Sequence, residues 1–237
     1  MRGMILAAGA GKRMGALTQD TPKPLLRVQD CYLIEYPLRA LVKAGICEII
    51  INVHYYADKI KQALGNGAHY GANITYSQEE ELLETGGGIF QALPFFKNEP
   101  FLVVSSDIIT DYPLANLLAA LDGLALAHLI VATNPSYHPC GDFGLCEGKV
   151  DLHAQPRFTF ANMGVYQPEL FAKCKPEKFR LTDVIMPAIA AGQITGTHYQ
   201  GLWFNVGTPD DLAIVNQRAR EDSNLRPLAS ETNTLST

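Results

Sequence analysis

Three cations near the start of the chain have types and spacing that could do chemistry. Lys12 and Arg13 share a loop with Gly9 and Gly11, and Lys23 lies between Pro22 and Pro24. The loop follows a short apolar run, Met4 to Ala8, which reads as a buried parallel strand. Small residues from Ala7 to Gly11 let the backbone come close to a ligand, and their N–H groups can point at phosphate oxygens. Each proline fixes its own φ and restricts the residue before it, so the backbone carrying the Lys23 ammonium is held nearly rigid. This allows a polyphosphate cradle with a preset lysine. The glycine loop alone is equally an ordinary strand-to-loop turn, and the lysine tilts the reading toward phosphate.

Other candidates lie farther along. Asp107 ends the apolar stretch that begins at Phe101 and precedes two isoleucines, so its carboxylate is either a metal ligand or a capping residue. Taken alone, Gln78 reads as a solvated loop residue, and the Leu83-Glu84-Thr85-Gly86-Gly87-Gly88 stretch as a flexible turn at its three glycines. Two glycine signatures fail. The dinucleotide fingerprint needs a third small residue where Met14 stands, and the P-loop needs a serine or threonine where Arg13 stands. The six histidines form no H-E-x-x-H pattern, His128 reads as a packed strand residue, and no G-x-S-x-G occurs.

Leu6 to Met14, followed by Pro22 to Leu25, resembles the two-part opening motif of the sugar-phosphate nucleotidyltransferases, L-A-[AG]-G-x-G-x-R-[LM] and then P-K-[PA]-[LM]. The resemblance implies a three-layer α/β/α fold with a mainly parallel, mixed central sheet and a smaller sugar-binding lobe. It implies that a nucleoside triphosphate and a sugar 1-phosphate are condensed with Mg2+. The backbone at Leu6, Ala7, Ala8, Gly9 and Gly11, together with Arg13, would hold the β- and γ-phosphates, and Lys23 the α-phosphate. Gln78, Thr85 and Gly86 would read the base, with Ser106 also meeting substrate. Asp107 would ligate the metal. Trp203 to Pro209 resembles the family's W-x-[DN]-x-G-T-P, which makes Asn205 the second metal-facing residue, an amide where many relatives have an acid. Gly144, Asn162 and Gly164 match the sugar-binding positions, while the family's E-K-P segment is absent, so no sugar-phosphate lysine is named. The short form with G-D-F-G and T-F-A-N-M-G-V-Y is most similar to N-acetylmuramate-1-phosphate uridylyltransferases of cell-wall recycling. Mannose-1-phosphate guanylyltransferases come next, and a non-catalytic nucleotide-sugar-binding module is the rival. Such a module could lose Arg13, Lys23 or Asp107, and all three are present.

Strand and helix alternate through the first half. Helical spacing runs from Leu33 to Ala44, a β-branched run from Ile46 to Val53, and a helix from Tyr56 to Leu64. A short strand at Ile74–Tyr76, a helix from about Thr85 to Leu93 and a strand at Phe101–Ser105 follow. This pattern predicts a parallel sheet covered on both faces, with Gly9, Gln78 and Asp107 all just past strand ends, where such sheets bind ligands. The second half is less regular. Leu114–Leu121 is predicted as helix, Ala127–Thr133 as strand and 134–160 as irregular hairpins. A strand at Phe158–Tyr166, a helix at Leu181–Ala191 and strands at Ile194–Tyr199 and Leu202–Val206 come next. Thr208 reads as a helix N-cap, with Pro209, Asp210 and Asp211 in the first turn. One domain is expected over 1–221, with a nucleotide-binding half to about 110 and a sugar-phosphate half beyond it. Residues 222–237 are expected to be disordered.

At 237 residues with 47% hydrophobic content, the chain can bury a sizeable core. A net charge of −5 argues against nucleic acid as the main partner. Five cysteines without a C-x-x-C pair, no signal peptide and no run near the ~18 apolar residues of a membrane span point to a cytoplasmic protein with no membrane partner. A monomer or small homo-oligomer is expected.

Overall fold

Buried β-branched runs become neighbouring strands because each can cover its two faces only with helices packed on both sides. The computed structural model of the chain describes residues 1–121 and 124–221, so the expectation for 222–237 lies outside the described residues. β1 (Arg2–Leu6) leads through two 3-10 segments, Lys12–Thr18 and Lys23–Leu25, to a hairpin of β2 (Arg27–Val28) and β3 (Cys31–Tyr32). Then come α1 (Glu35–Lys43), β4 (Glu48–Val53), α2 (Ala57–Leu64), β5 (Asn73–Gln78), α3 (Glu84–Ala92) and β6 (Phe101–Ser105). The second half contains β7 (Ile108–Thr110), β8 (Ala127–Ala132), β9 (Phe143–Cys146), β10 (Lys149–Asp151) and β11 (Arg157–Tyr166). It ends with α4 (Leu181–Ala190), β12 (Ile194–Tyr199), β13 (Trp203–Asn205) and α5 (Pro209–Glu221).

Nine strands form one sheet in the order β5-β4-β1-β6-β11-β8-β12-β10-β9. The first four are parallel, β11 runs antiparallel to β6 and β8, and β12 is parallel to β8. Met4, Ile50 and Val103 face Ile89 of α3 and Ile185 of α4. Ile5, Ile51 and Val104 face Leu38 and Leu41 of α1 and Ile60 of α2. The architecture is therefore the expected three-layer α/β/α with a mixed sheet. The chain leaves β1 outward to β4 and β5, then returns to β6 on the other side of β1. The loops after β1 and β6 thus diverge and open a crevice at a topological switch point.

Several boundaries differ from the sequence pattern. β1 ends at Leu6 rather than Ala8, because the Ala7 N–H bonds to the Asn52 side chain instead of the ladder. Leu114–Ala119 is a 3-10 turn rather than a longer helix. Within 134–160, β9 and β10 form a hairpin that joins the sheet edge, turning at Glu147 and Gly148, both with positive φ. β13 stays outside the main sheet and pairs with β7, setting Asn205 across from Ile108.

α5 starts as expected and docks Val215 and Ala219 on Val28, Leu33, Ile109 and Val206. Asp211 Oδ2 accepts the N–H groups of Gly207 (3.0 Å) and Thr208 (2.8 Å) and the Thr208 hydroxyl (2.8 Å), while Thr208 Oγ1 accepts the Asp211 N–H (3.2 Å). This is a reciprocal cap. Asp211→Ala removes three of these acceptor contacts and is expected to cost about 1–2 kcal/mol of unfolding free energy. The check is a lower urea midpoint at unchanged slope.

Candidate active site

A cavity of about 350 Å3 lies at the carboxyl ends of β1 and β6. Its lining comes from the end of β1 and the loop after it (Leu6, Ala7, Ala8, Gly9, Gly11, Arg13), the turn at Lys23 and Pro24, the end of β6 (Ser105, Ser106, Asp107), the 82–85 segment (Leu82, Glu84, Thr85) and Gly207. Ten of the sequence-derived site residues therefore share one cavity: Leu6, Ala7, Ala8, Gly9, Gly11, Arg13, Lys23, Thr85, Ser106 and Asp107.

Local sequence explains how they are held. Gly11 has φ +64°, and a Cβ there would come within 2.8 Å of Lys23 Cβ, so only glycine lets the loop close over the lysine stem. Thr18 Oγ1 ties the loop down by donating to the carbonyls of Gly11 and Gly15, 3.2 Å each. Pro22 starts the short turn at Lys23, whose side chain is almost buried and donates from Nζ to Asp107 Oδ2. The Asp107 backbone carbonyl accepts the Val206 N–H at 2.9 Å, which joins the loop after β6 to the end of β13. A Cβ added at Gly207 would lie 3.0–3.1 Å from the Arg13 guanidinium, so the bare glycine gives that cation its place.

Six expected residues lie outside the cavity lining. Gln78 points to solvent and accepts from Lys61 Nζ at 2.5 Å, because at the end of β5 its side chain lies on the α2 side of the edge strand. Gly86 is not open to a base. Its N–H donates to Phe179 O at 3.0 Å, and a Cβ there would overlap the Phe179 ring at 2.4 Å. Gly144 is closed by Ala154, whose carbonyl oxygen would lie 2.2 Å from an added Cβ, and Gly164 by the His128 carbonyl at 2.7 Å. These three glycines answer to packing within the protein. Asn162 has φ +55° at a bulge of β11, beside Ala161, whose carbonyl accepts Trp203 Nε1 at 3.0 Å. Asn205 lies two residues before Gly207, and its Oδ1 is buried without a hydrogen-bond partner among the described residues.

Other residues of the site were not singled out from sequence. Asn52 lines the cavity, and its one signal was an amide inside the Ile49–Val53 run. Glu84 also lines it, with a left-handed φ of 62° and Lys178 at 3.8 Å. Tyr137, on the loop after β8, is 56% exposed and outside the cavity lining; partial burial pushes its phenol pKa up, the Asp211 and Asp107 carboxylates add to that, and Arg13 opposes it. Thr85 Oγ1 accepts the Leu181 N–H at 2.9 Å, so this cavity residue also caps α4.

A family model described as Nucleotidyl transferase matches residues 2–222. The chain is 40% identical over 216 residues to an N-acetylmuramate alpha-1-phosphate uridylyltransferase of Neisseria meningitidis, covering 88% of this chain and 94% of that protein. It is 30% identical to the mannose-1-phosphate guanylyltransferase catalytic subunit beta of Dictyostelium discoideum, over 90% of this chain and 62% of that one. The solved inositol-1-phosphate CTP transferase from T. maritima superposes with a TM-score of 0.75 at 21% identity, over 93% of this chain and 96% of that one, which speaks for the fold. Among the described residues no helix is long and apolar enough to cross a membrane.

Gly207→Ala tests the seat of Arg13. The added methyl meets only the far end of a flexible side chain, so folding should persist while the guanidinium shifts. Pyrophosphate affinity, measured by calorimetry, is expected to weaken about tenfold, the scale of one charge-assisted hydrogen bond.

Proposed function

The chain belongs to the nucleotidyl transferase family, and we propose that it joins UTP to N-acetylmuramate 1-phosphate, giving the UDP-sugar and pyrophosphate. The observation that carries this reading is the convergence of Arg13, Lys23 and Asp107 on one cavity beside a glycine loop. The named uridylyltransferase relative, matched along nearly its whole length, supports the choice of substrates. A mannose-1-phosphate guanylyltransferase is the second reading, supported by the Dictyostelium relative. The product would serve cell-wall recycling in the cytoplasm, from one domain over 1–221 acting as a monomer or small homo-oligomer, with no nucleic-acid or membrane partner.

In the reaction an oxygen of the sugar 1-phosphate forms a bond to the α-phosphorus, and the bond from that phosphorus to the bridging β-oxygen breaks. The electron pair leaves with pyrophosphate. The attacking oxygen is already anionic at neutral pH, so no side chain need remove a proton. The protein must align two polyanions and neutralise them. The loop amides and Arg13 would hold the β- and γ-phosphates, and the Lys23 ammonium would move from Asp107 to the α-phosphate. Base reading by Gln78 would require its side chain to leave Lys61. The sugar would meet the bulge at Asn162 and the strands carrying Gly144 and Gly164.

The residues present fit a divalent cation. Asn205 Oδ1 is a buried oxygen lacking a partner among the described residues, and Asp107 is a carboxylate whose present partner is itself a cation. Asp107 and Asn205 would hold Mg2+, with phosphate oxygens completing its shell. When bound, the ion supplies charge neutralisation between triphosphate and sugar phosphate.

A pyrophosphate-release assay across five nucleoside triphosphates and several sugar 1-phosphates tests the reading, and release with no pair would sink it. Asp107→Asn should abolish turnover with the fold intact. Asn205→Asp should keep activity and lower the magnesium requirement. Lys23→Ala should lower kcat far more than it raises KM for the triphosphate, since the ammonium matters most as charge builds on the α-phosphate. The expected loss is about 3–4 kcal/mol, a few hundredfold in rate. Lys23→Arg should rescue only part, because a forked guanidinium does not match a compact ammonium. A change confined to KM would mean that Lys23 only gathers substrate.

A further inference from the structure

The single amide inside the apolar run of β4 joins three elements. Asn52 is 3% exposed. Its Oδ1 accepts the N–H of Ala7 at 2.9 Å, and its Nδ2 donates to Glu79 Oε1 at 2.7 Å. Glu79 is 2% exposed and stands just past β5, and its Oε2 accepts the Leu83 N–H at 3.0 Å. A Cβ at Gly88 would lie 2.6 Å from Glu79 Oε1 and 2.8 Å from Asn52 Nδ2, so α3 rests on the pair with bare backbone. On one side of this chain of bonds are Ala7 and Ala8 of the phosphate loop. On the other are Leu82, Glu84 and Thr85, and all of these residues line the cavity together with Asn52 itself.

We propose that Asn52 and Glu79 are a positioning pair that fixes the phosphate loop relative to the 82–85 segment, so that the two ends of a nucleoside triphosphate are gripped together. This rests on the nucleotide reading of the cavity and adds residues that reading does not use. The hydrogen-bond polarity dictates the pair. The N–H groups of Ala7 and Leu83 each need an acceptor, and the two side chains must also bond to each other. One must therefore be an amide and the other a carboxylate. Two carboxylates repel, and with two amides the one that accepts from its neighbour turns its own NH2 toward a backbone N–H.

That logic also permits the reverse order. With Asp at 52 and Gln at 79, Asp accepts from Ala7, Gln donates to Asp, and Gln Oε1 accepts from Leu83. The same three bonds form with the donor on the other partner. Asn52→Asp alone sets two buried carboxylates face to face, which raises the pKa of one of them. Below that raised pKa a shared proton restores the donor, so any recovery appears at acid pH and is lost as pH rises. His54, whose Nδ1 lies 3.0 Å from the Glu79 carbonyl oxygen, is common to all variants and cancels in the comparison.

The experiment is calorimetric binding of pyrophosphate with and without saturating uridine to wild type, Asn52→Asp, Glu79→Gln and the double variant, with thermal melts alongside. In wild type and the double variant, uridine should tighten pyrophosphate roughly five- to fiftyfold. In the single variants at neutral pH that coupling should collapse toward one while each probe alone still binds, and Asn52→Asp should regain it at acid pH. Coupling that persists in the single variants, or that stays absent in a double variant with restored melting temperature, would overturn the pair's role alone. A wild type that binds neither probe would overturn the nucleotide reading and the pair with it. Uncoupled binding of both probes to wild type would overturn the pair and leave the nucleotide reading standing.

Discussion

An ammonium and a carboxylate face each other in a mostly covered cleft, and the surrounding loops are arranged to keep them there. The side chains of Lys23 and Asp107 are 11% and 19% exposed. Removing either charge from water costs several kcal/mol, which mutual attraction offsets only if the geometry is fixed. Lys23 is fixed from behind by Pro22 and by the bare Gly11 against its stem, and Asp107 by the backbone bond from Val206 to its carbonyl. The two residues come from loops after adjacent parallel strands, β1 and β6, which is why the switch point of the sheet had to fall there. In the proposed reaction a polyanion entering the cavity would give the ammonium a new partner and a divalent cation would take the carboxylate, so neither charge would be left bare. Breaking the pair from one side only would strand a charge, at a cost of about 3–5 kcal/mol. The lysine therefore carries part of the cleft's stability beside the chemistry proposed for it.

Much of this was legible in the sequence, for identifiable reasons. The first-half strands show as continuous runs because parallel strands are apolar on both faces, as at Ile49–Val53 and Phe101–Val104. The Lys23 segment was legible because prolines act locally. The glycines were harder. Gly11 serves the ligand cavity, whereas Gly86, Gly144 and Gly164 serve Phe179, Ala154 and the His128 carbonyl, and composition cannot tell a close ligand from a close neighbour. β7 escaped because a three-residue strand has no period to detect, whereas β13 falls inside the strand expected at Leu202–Val206. Asn52 was hidden by its apolar surroundings, although a lone amide among isoleucines is itself a signal, since burying it requires partners for both ends.

The same accounting of partners shows where the anion-binding capacity of the site resides. A helix N-terminus beside the cleft, that of α5, could have served a phosphate, but Asp211 already accepts the Gly207 and Thr208 amides. The Ala7 amide is taken by Asn52, and the Ser106 amide by the Leu6 carbonyl at 3.0 Å. Ala8, Gly9 and Gly11 have no acceptor for their amides among the described residues. In the proposed reaction phosphate recognition would be divided between a short arc of free backbone donors, which orient, and the side-chain charges of Arg13 and Lys23, which neutralise. Gly207 belongs to the chain segment that Asp211 caps, so the C-terminal helix contributes to the site by seating Arg13 rather than by its own dipole. The segment ahead of α5 therefore acts on the loop after β1 at a distance of one side chain.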